Sequence, residues 1–479
     1  MGNSATEPRP IFVAGRWVTT DAPLVVNNPA DPATPVGATY LAGDAEYEAA
    51  VDGAVQAFRT NRRAPAYERG DLLRAISAGV TSRRDELARL MTLEVGKPIR
   101  DTYTEVDRTA LAFRLAAGEA ERIGGEVIPL DIIPTSKGRV GITRRFPIGP
   151  IAAISPFNLP LGLSVHKLAP AIAAGAPIVL RPPSKAPLSL LVVAEIIEAA
   201  GARPGMVSIV PMTRELGDRM VADERFMLLT FTGSPSVGWG MKARAGKKKV
   251  LLELGGNAAA IIDRTADLDR AAARCATGAF KFAGQLCVSI QRLLVHEAVV
   301  EPFLERFIAL VTALRVGDPL DPETDIGPMI DPGAVDRTEA WITEAVERGA
   351  RVLTGGAADG PYFQPTILTD VPPDARVCVD EAFAPLVVVS TFRDFEAALA
   401  EANDSRFGLQ AGVFTNDLGH AWSAFDELDV GGVIVNDIPS YRIDHMPFGG
   451  VKDSGQGREG LRWAIEEMTE LKLMVVVPG

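Results

Sequence analysis

Met227-Leu228-Leu229-Thr230-Phe231-Thr232-Gly233-Ser234-Pro235-Ser236-Val237-Gly238 decides the fold, together with Val250-Leu251-Leu252-Glu253-Leu254-Gly255-Gly256 that follows it. Met227 to Phe231 is a short apolar run bounded by turn residues, which predicts a buried strand. Pro235 to Ala245 has helix spacing with proline at its first position, and Val250 to Leu254 predicts a second strand. Working outward, Ile178-Val179-Leu180 and Met206 to Val210 predict strands, while Leu188 to Ala200 and Arg214 to Ala222 predict helices. Strands alternating with helices imply parallel strands joined by crossovers, hence an α/β doubly wound sheet.

Upstream, residues 44–122 have helical spacing, with Asp44 as a candidate N-cap. Gly124 to Arg145 changes character, and Val127, Ile128, Ile132, Ile133, Val140 and Ile142 suggest a pair of strands. Beyond Gly256 the βα pattern restarts with a helix from Leu268 to about Phe282 and runs to about Val435, a second α/β unit. Lys472 to Val477 is an apolar strand near the chain end, an edge that invites pairing with another chain or with the 124–145 hairpin.

The chain has 479 residues, 47% hydrophobic and 23% charged, enough for two or three domains. Its net charge of −12 argues against general nucleic-acid binding, which needs a surplus of cations. Three cysteines are too few for a disulfide framework and fit a reducing cytoplasm, the expected location. Four scattered histidines lack metal-ligand spacing, so no metal is expected. Residues 147–165 are uncharged but broken by Pro147, Pro150, Pro156 and Pro160, so they predict buried core rather than a membrane span. Met1-Gly2 with Thr6 fits the myristoylation pattern, a short match that arises readily by chance.

Cys287, in Phe282-Ala283-Gly284-Gln285-Leu286-Cys287, is a thiol beside a flexible glycine just past a helix. A thiolate is the strongest nucleophile a protein offers near neutral pH, although a solitary cysteine is often simple packing, as expected for Cys275. Glu253 ends an apolar strand, where a carboxylate is costly without a partner or a task. Asn158 sits in the proline-framed turn Ser155-Pro156-Phe157-Asn158-Leu159-Pro160, where its amide can face an oxyanion or simply shape a turn. Gly233 and Ser234 open a helix whose free N–H groups suit a phosphate, yet such turns are common.

Taken in order, Phe157-Asn158, Phe231-Thr232-Gly233-Ser234, Glu253-Leu254-Gly255-Gly256, Gly284-Gln285-x-Cys287, Glu381-x-Phe383-x-Pro385 and Pro447-Phe448-Gly449-Gly450 resemble the aldehyde dehydrogenase superfamily. The likeness runs from about Phe12 to the C-terminus and includes Leu93-Glu94-x-Gly96-Lys97-Pro98 and Ser454-Gly455-x-Gly457. The 34-position step from Glu253 to Cys287 matches too. The resemblance implies a Rossmann-type cofactor domain (1–122 and 147–255), a second α/β catalytic domain (256–464) and a small β oligomerisation element (123–146 and 465–479), in a homodimer or homotetramer.

It further implies oxidation of an aldehyde to an acid with NAD or NADP. Cys287 attacks, its own N–H and Asn158 hold the oxyanion, Glu253 activates water, and Lys167 with Glu459 relays protons. Ser155, Pro156, Phe157, Arg181, Ser184, Gly233, Ser234, Val237, Leu254, Gly255, Glu381 and Phe383 match cofactor positions. Two departures stand out. Arg181 replaces the usual lysine, and Ser184 stands where NAD-preferring relatives carry glutamate, which suggests that NADP is accepted. Leu286 replaces the arginine of some relatives that act on phosphorylated aldehydes. Arg442 and His445, in the loop before Pro447, are candidates for a remote substrate carboxylate, with an Arg442–Asp444 pair as the alternative. The subgroup resembles lactaldehyde and succinate-semialdehyde enzymes. Competing readings are a coenzyme-A-acylating relative, a cysteine hydrolase and an inactive binding protein; Glu253 favours hydrolysis to the acid.

Overall fold

The strand Leu228–Thr232 is buried along its whole length and runs parallel to Ile151–Ile154 on one side and Lys249–Glu253 on the other. The computed structural model describes residues 7–477, so the Met1-Gly2-Thr6 pattern lies outside it. From Ile151–Ile154 the sheet continues through the parallel strands Ile178–Arg181 and Val207–Ile209. Ile11–Val13 and Arg16–Val18 add antiparallel at that edge, and Gly455–Gln456 adds antiparallel beside Lys249–Glu253. The chain therefore winds outward from Ile151–Ile154 in one direction, returns, and winds outward in the other. This leaves a crevice at the C-terminal ends of Ile151–Ile154 and Leu228–Thr232, where ligands of doubly wound sheets bind. Asn158, Gly233 and Glu253 all stand at or just beyond these strand ends.

A second sheet has the order Arg351–Thr354, Thr366–Thr369, Leu386–Phe392, Ile290–His296, Ala258–Ile262, Gln410–Phe414, Gly432–Val435. All neighbours are parallel except the first pair. The third sheet pairs Thr469–Val476 antiparallel with Val140–Pro147, which in turn pairs with Val127–Pro129. The end strand thus takes the second of its two expected partners, the hairpin. No helix among the described residues is long and apolar enough to cross a membrane.

Three local expectations need correction. Gly43, not Asp44, is the N-cap of Asp44–Asn61: the Glu46 carboxylate accepts the Gly43 N–H at 2.9 Å, while Asp44 reaches out to Arg219 at 2.7 Å. Ile132 and Ile133 lie outside the strands, in the exposed connection that precedes the 3-10 turn Pro134–Ser136. Pro134 has no N–H to continue a ladder. The helix from Leu268 ends at Phe280, because Phe282, Ala283 and Gly284 all take left-handed φ near 50–67°.

Candidate active site

Two hollows meet at Cys287. One, of about 630 Å³, opens over the sheet crevice; the other, of about 230 Å³, runs behind the helix Pro160–Ala174. The loop carrying the sulfur is strained. Two consecutive non-glycine residues with positive φ cost roughly 1–3 kcal/mol each and persist only where the surroundings hold them. Gly284 is required there, since a Cβ would fall 2.0 Å from the Ala384 carbonyl oxygen. The fully buried Gln285 braces the turn. Its Nε2 donates to the Phe282 carbonyl at 3.3 Å, and its Oε1 accepts the Ile330 N–H at 3.0 Å. Asn158 Nδ2 donates to the Gln285 carbonyl at 3.0 Å, which fixes the amide and leaves its second hydrogen free. Burial, with Glu381 and Glu253 adding negative charge nearby, pushes the Cys287 thiol up to about 12.

The same hollow is lined by Glu253, whose Oε2 is buried without a partner. Burial pushes this carboxyl well above the usual range, and the Glu459 carboxylate pushes it further. Behind it, Lys167 Nζ donates to Thr232 Oγ1 at 2.7 Å, to Glu459 Oε1 at 3.1 Å and to Thr230 Oγ1 at 3.2 Å. Arg442 Nη2 donates to the other Glu459 oxygen at 3.2 Å. Burial opposes the Glu459 charge, but Lys167 and Arg442 outweigh it and hold the group ionised. Arg442 therefore does not pair with Asp444, and its guanidinium lies 3.9 Å over the Phe448 ring.

Pro156, Phe157, Gly233, Ser234, Leu254, Gly255, Glu381 and Phe383 line the larger hollow with Asn158, Glu253 and Cys287. Glu381 accepts the Gly256 N–H at 2.9 Å, and Phe157 meets Phe383 edge to face at 6.1 Å. A Cβ on Gly255 would fall 2.2 Å from the Glu381 carboxylate, so only glycine permits this approach. Four candidates stand apart. Ser155 is buried at the strand end, its N–H on the Arg181 carbonyl at 3.3 Å, and Val237 packs half-buried into the core. The Arg181 guanidinium lies against Gly217 and donates to the Met212 carbonyl, and Ser184 lines a separate hollow beside Asp331. Of the substrate candidates, Leu286 and Arg442 line the smaller hollow with Cys287. His445 is exposed and does not line that hollow.

Sequence reasoning missed two groups on the smaller hollow. Asp444 Oδ1 accepts from Arg108 Nη2 at 2.7 Å and lies 3.1 Å from His166 Nε2. Lys97 Nζ lies 2.6 Å from Glu105 and 5.3 Å over the Phe282 ring. The advance signals were Lys97 inside a quoted motif and Asp444 named as the alternative partner of Arg442. The partner of Lys97, Glu105, lies eight positions further on, inside the next helix, and carried no signal of its own.

A family model, the aldehyde dehydrogenase family, matches residues 17–474. The chain belongs to the aldehyde dehydrogenase family. A 3-sulfolactaldehyde dehydrogenase from Priestia aryabhattai is 42% identical over 467 residues, 97% of each chain. Among solved structures, aldehyde dehydrogenase 21 from Physcomitrella patens, in complex with the reaction product succinate, superposes with a TM-score of 0.95 at 44% identity, covering 98% of this chain and 99% of that one. Glyceraldehyde-3-phosphate dehydrogenase from Methanocaldococcus jannaschii, complexed with NADP, gives 0.91 at 37%, covering 95% and 98%. This aldehyde dehydrogenase is accordingly an NAD(P)-dependent oxidoreductase of the α/β fold that the sequence predicts.

Proposed function

We propose that this aldehyde dehydrogenase oxidises a short aldehyde bearing a remote anionic group, a carboxylate or sulfonate, to the free acid. The observation that carries this reading is the meeting of two hollows at Cys287, one with Asn158, Glu253 and Glu381 on its wall, the other with Arg442. Cys287 attacks the aldehyde carbon, forming a carbon–sulfur bond while the carbonyl oxygen gains charge. The Cys287 N–H and the free Asn158 hydrogen hold that oxyanion. Loss of hydride from this adduct, which a bound dinucleotide would accept, leaves a thioester. A water from which Glu253 takes the proton then displaces the Cys287 sulfur to give the acid, and Lys167 and Glu459 carry the proton onward.

The larger hollow suits NAD(P)+. The helix Pro235–Arg244 begins there without a side-chain cap, which leaves first-turn N–H groups for a phosphate. Gly233 and Ser234 would hold the phosphates, Glu381 the ribose, and Phe383 the ring. When bound, the dinucleotide supplies hydride acceptance. NADP acceptance is supported by the neighbours complexed with NADP and not by Arg181 and Ser184, which stand outside this hollow. Relatives named for sulfolactaldehyde, succinate and NADP agree with the anionic substrate and this cofactor.

The proposed units are the cofactor domain 1–122 and 147–255, the catalytic domain 256–464, and the oligomerisation element 123–146 and 465–479. In the last, Leu471, Leu473, Met474 and Val475 are exposed on a strand whose outer edge has no partner among the described residues, which supports a homo-oligomer. Kinetics with neutral, carboxylate, sulfonate and phosphorylated aldehydes, each with NAD and NADP, test the reading. A flat profile across the panel overturns the substrate class, and a strict requirement for coenzyme A overturns hydrolysis.

A further inference from the structure

We propose that His166 selects aldehydes carrying a hydroxyl group, by offering the substrate a bare ring-nitrogen acceptor beside the Arg442 guanidinium. His166 is 3% exposed on the helix Pro160–Ala174 and lines the smaller hollow with Cys287 and Arg442. Its Nε2 lies 3.1 Å from Asp444 Oδ1. That carboxylate also receives Arg108, through Nη2 at 2.7 Å and Nε at 3.2 Å. A carboxylate so paired is ionised and can only accept, so the proton of the imidazole must sit on Nε2. Nδ1 is then a lone-pair acceptor, and it is buried with no partner. Burial, with Arg442 facing it, holds the ring below its ordinary range and therefore neutral.

Arg442 supplies the complement. Its Nε–H is also buried with no partner, although Nη2 is engaged by Glu459. The two lining side chains thus hold one unpaired acceptor and one unpaired donor, both covered, so that a substrate hydroxyl reaches them through a small side-chain shift. A carboxylate satisfies the donor and leaves Nδ1 bare, whereas a hydroxyl donates to Nδ1 and accepts from Nε–H. Neutral imidazole next to a guanidinium is a poor second cation for an anion but a well-placed acceptor for an alcohol. Buried polar groups favour ligands that pair them and reject those that do not.

This inference rests on the smaller hollow being the substrate side of the proposed site, but not on the remote anion. Its test therefore uses uncharged substrates. Steady-state kcat/KM of the full chain with NADP+ is measured for 2-hydroxypropanal, 3-hydroxypropanal and propanal, in the wild type, in His166→Phe and in His166→Leu. The two apolar variants differ in size, so a folding failure of one leaves the other readable. Comparing the hydroxyl-to-deoxy ratio between variant and wild type cancels the intrinsic reactivity of each aldehyde. Loss of one hydrogen bond lowers that ratio about 10-fold for at least one hydroxyaldehyde. His166→Asn, which retains an acceptor, recovers part of it. An unchanged ratio overturns the proposal, whether both substrates hold their rates or fall together as a packing role would require. A wild type without carboxylate preference, with the hydroxyl ratio still falling in the variants, counts against the anionic reading alone.

Discussion

Lys97 Nζ lies 2.6 Å from Glu105 Oε2, each side chain is 3% exposed, and Glu105 Oε1 accepts the N–H groups of Leu161 and Gly162 at 3.0 and 2.9 Å. The pair thereby ties the Cys287 loop, through the Phe282 ring, to the start of the helix that carries His166 and Lys167. Removing one partner leaves a buried charge without compensation, which typically costs more than the pair ever contributed.

Lys97→Met is expected to lower the unfolding free energy by about 3 kcal/mol, read from urea transitions. Adding Glu105→Gln to that variant removes the stranded charge and regains part of the loss. A single variant as stable as wild type would show that the pair holds nothing in place.

Glu253→Gln is expected to keep a rapid burst of cofactor reduction while steady turnover drops about 100-fold, measured by stopped flow. Because the buried carboxyl is held above its ordinary range, the active, deprotonated base is gained as pH rises. Wild-type turnover should therefore climb with pH above the ordinary carboxylate range, and the variant should lack that limb.

Arg442→Met is expected to reduce kcat/KM for a carboxylate-bearing aldehyde about 30-fold more than for a neutral aldehyde of equal length, as loss of a charged hydrogen bond dictates. The contrast between substrates matters because Arg442 also holds Glu459. Equal losses would assign the arginine to Glu459 alone.

Burial raises the Glu381 carboxyl to about 7, with the Gly256 N–H, Arg337 and Arg406 acting in opposition. Above that pH the group is a carboxylate and a stronger acceptor for ribose hydroxyls. The KM for the cofactor should fall as pH rises through about 7, and Glu381→Gln should flatten the dependence.

Val475→Asp places a charge on the exposed edge strand Thr469–Val476. Light scattering should report a smaller assembly than wild type, since inward or edge charges block strand pairing between chains. An unchanged mass would place the interface elsewhere.

The strands 178–181, 207–209, 228–232 and 249–253 were legible because each is a buried apolar run between turn residues, a pattern local to a few positions. Cys287, Asn158 and Glu253 were legible from motifs whose residue types suit one reaction. Ile132 and Ile133 misled because apolar character alone does not distinguish a strand from an exposed loop. The pairing of His166 with Asp444 gave no signal, its members being 278 positions apart.

The sequence by itself determined which groups exist to react and that Glu253 ends a strand, Asn158 sits in a turn and Cys287 follows a helix, since hydrophobic period and turn chemistry act over short stretches. Only the tertiary structure decided that Arg442 faces Glu459, that Arg108 and His166 share Asp444, and that Lys97 meets Glu105. Charges choose partners by distance and burial in space, and neither quantity is written along the chain.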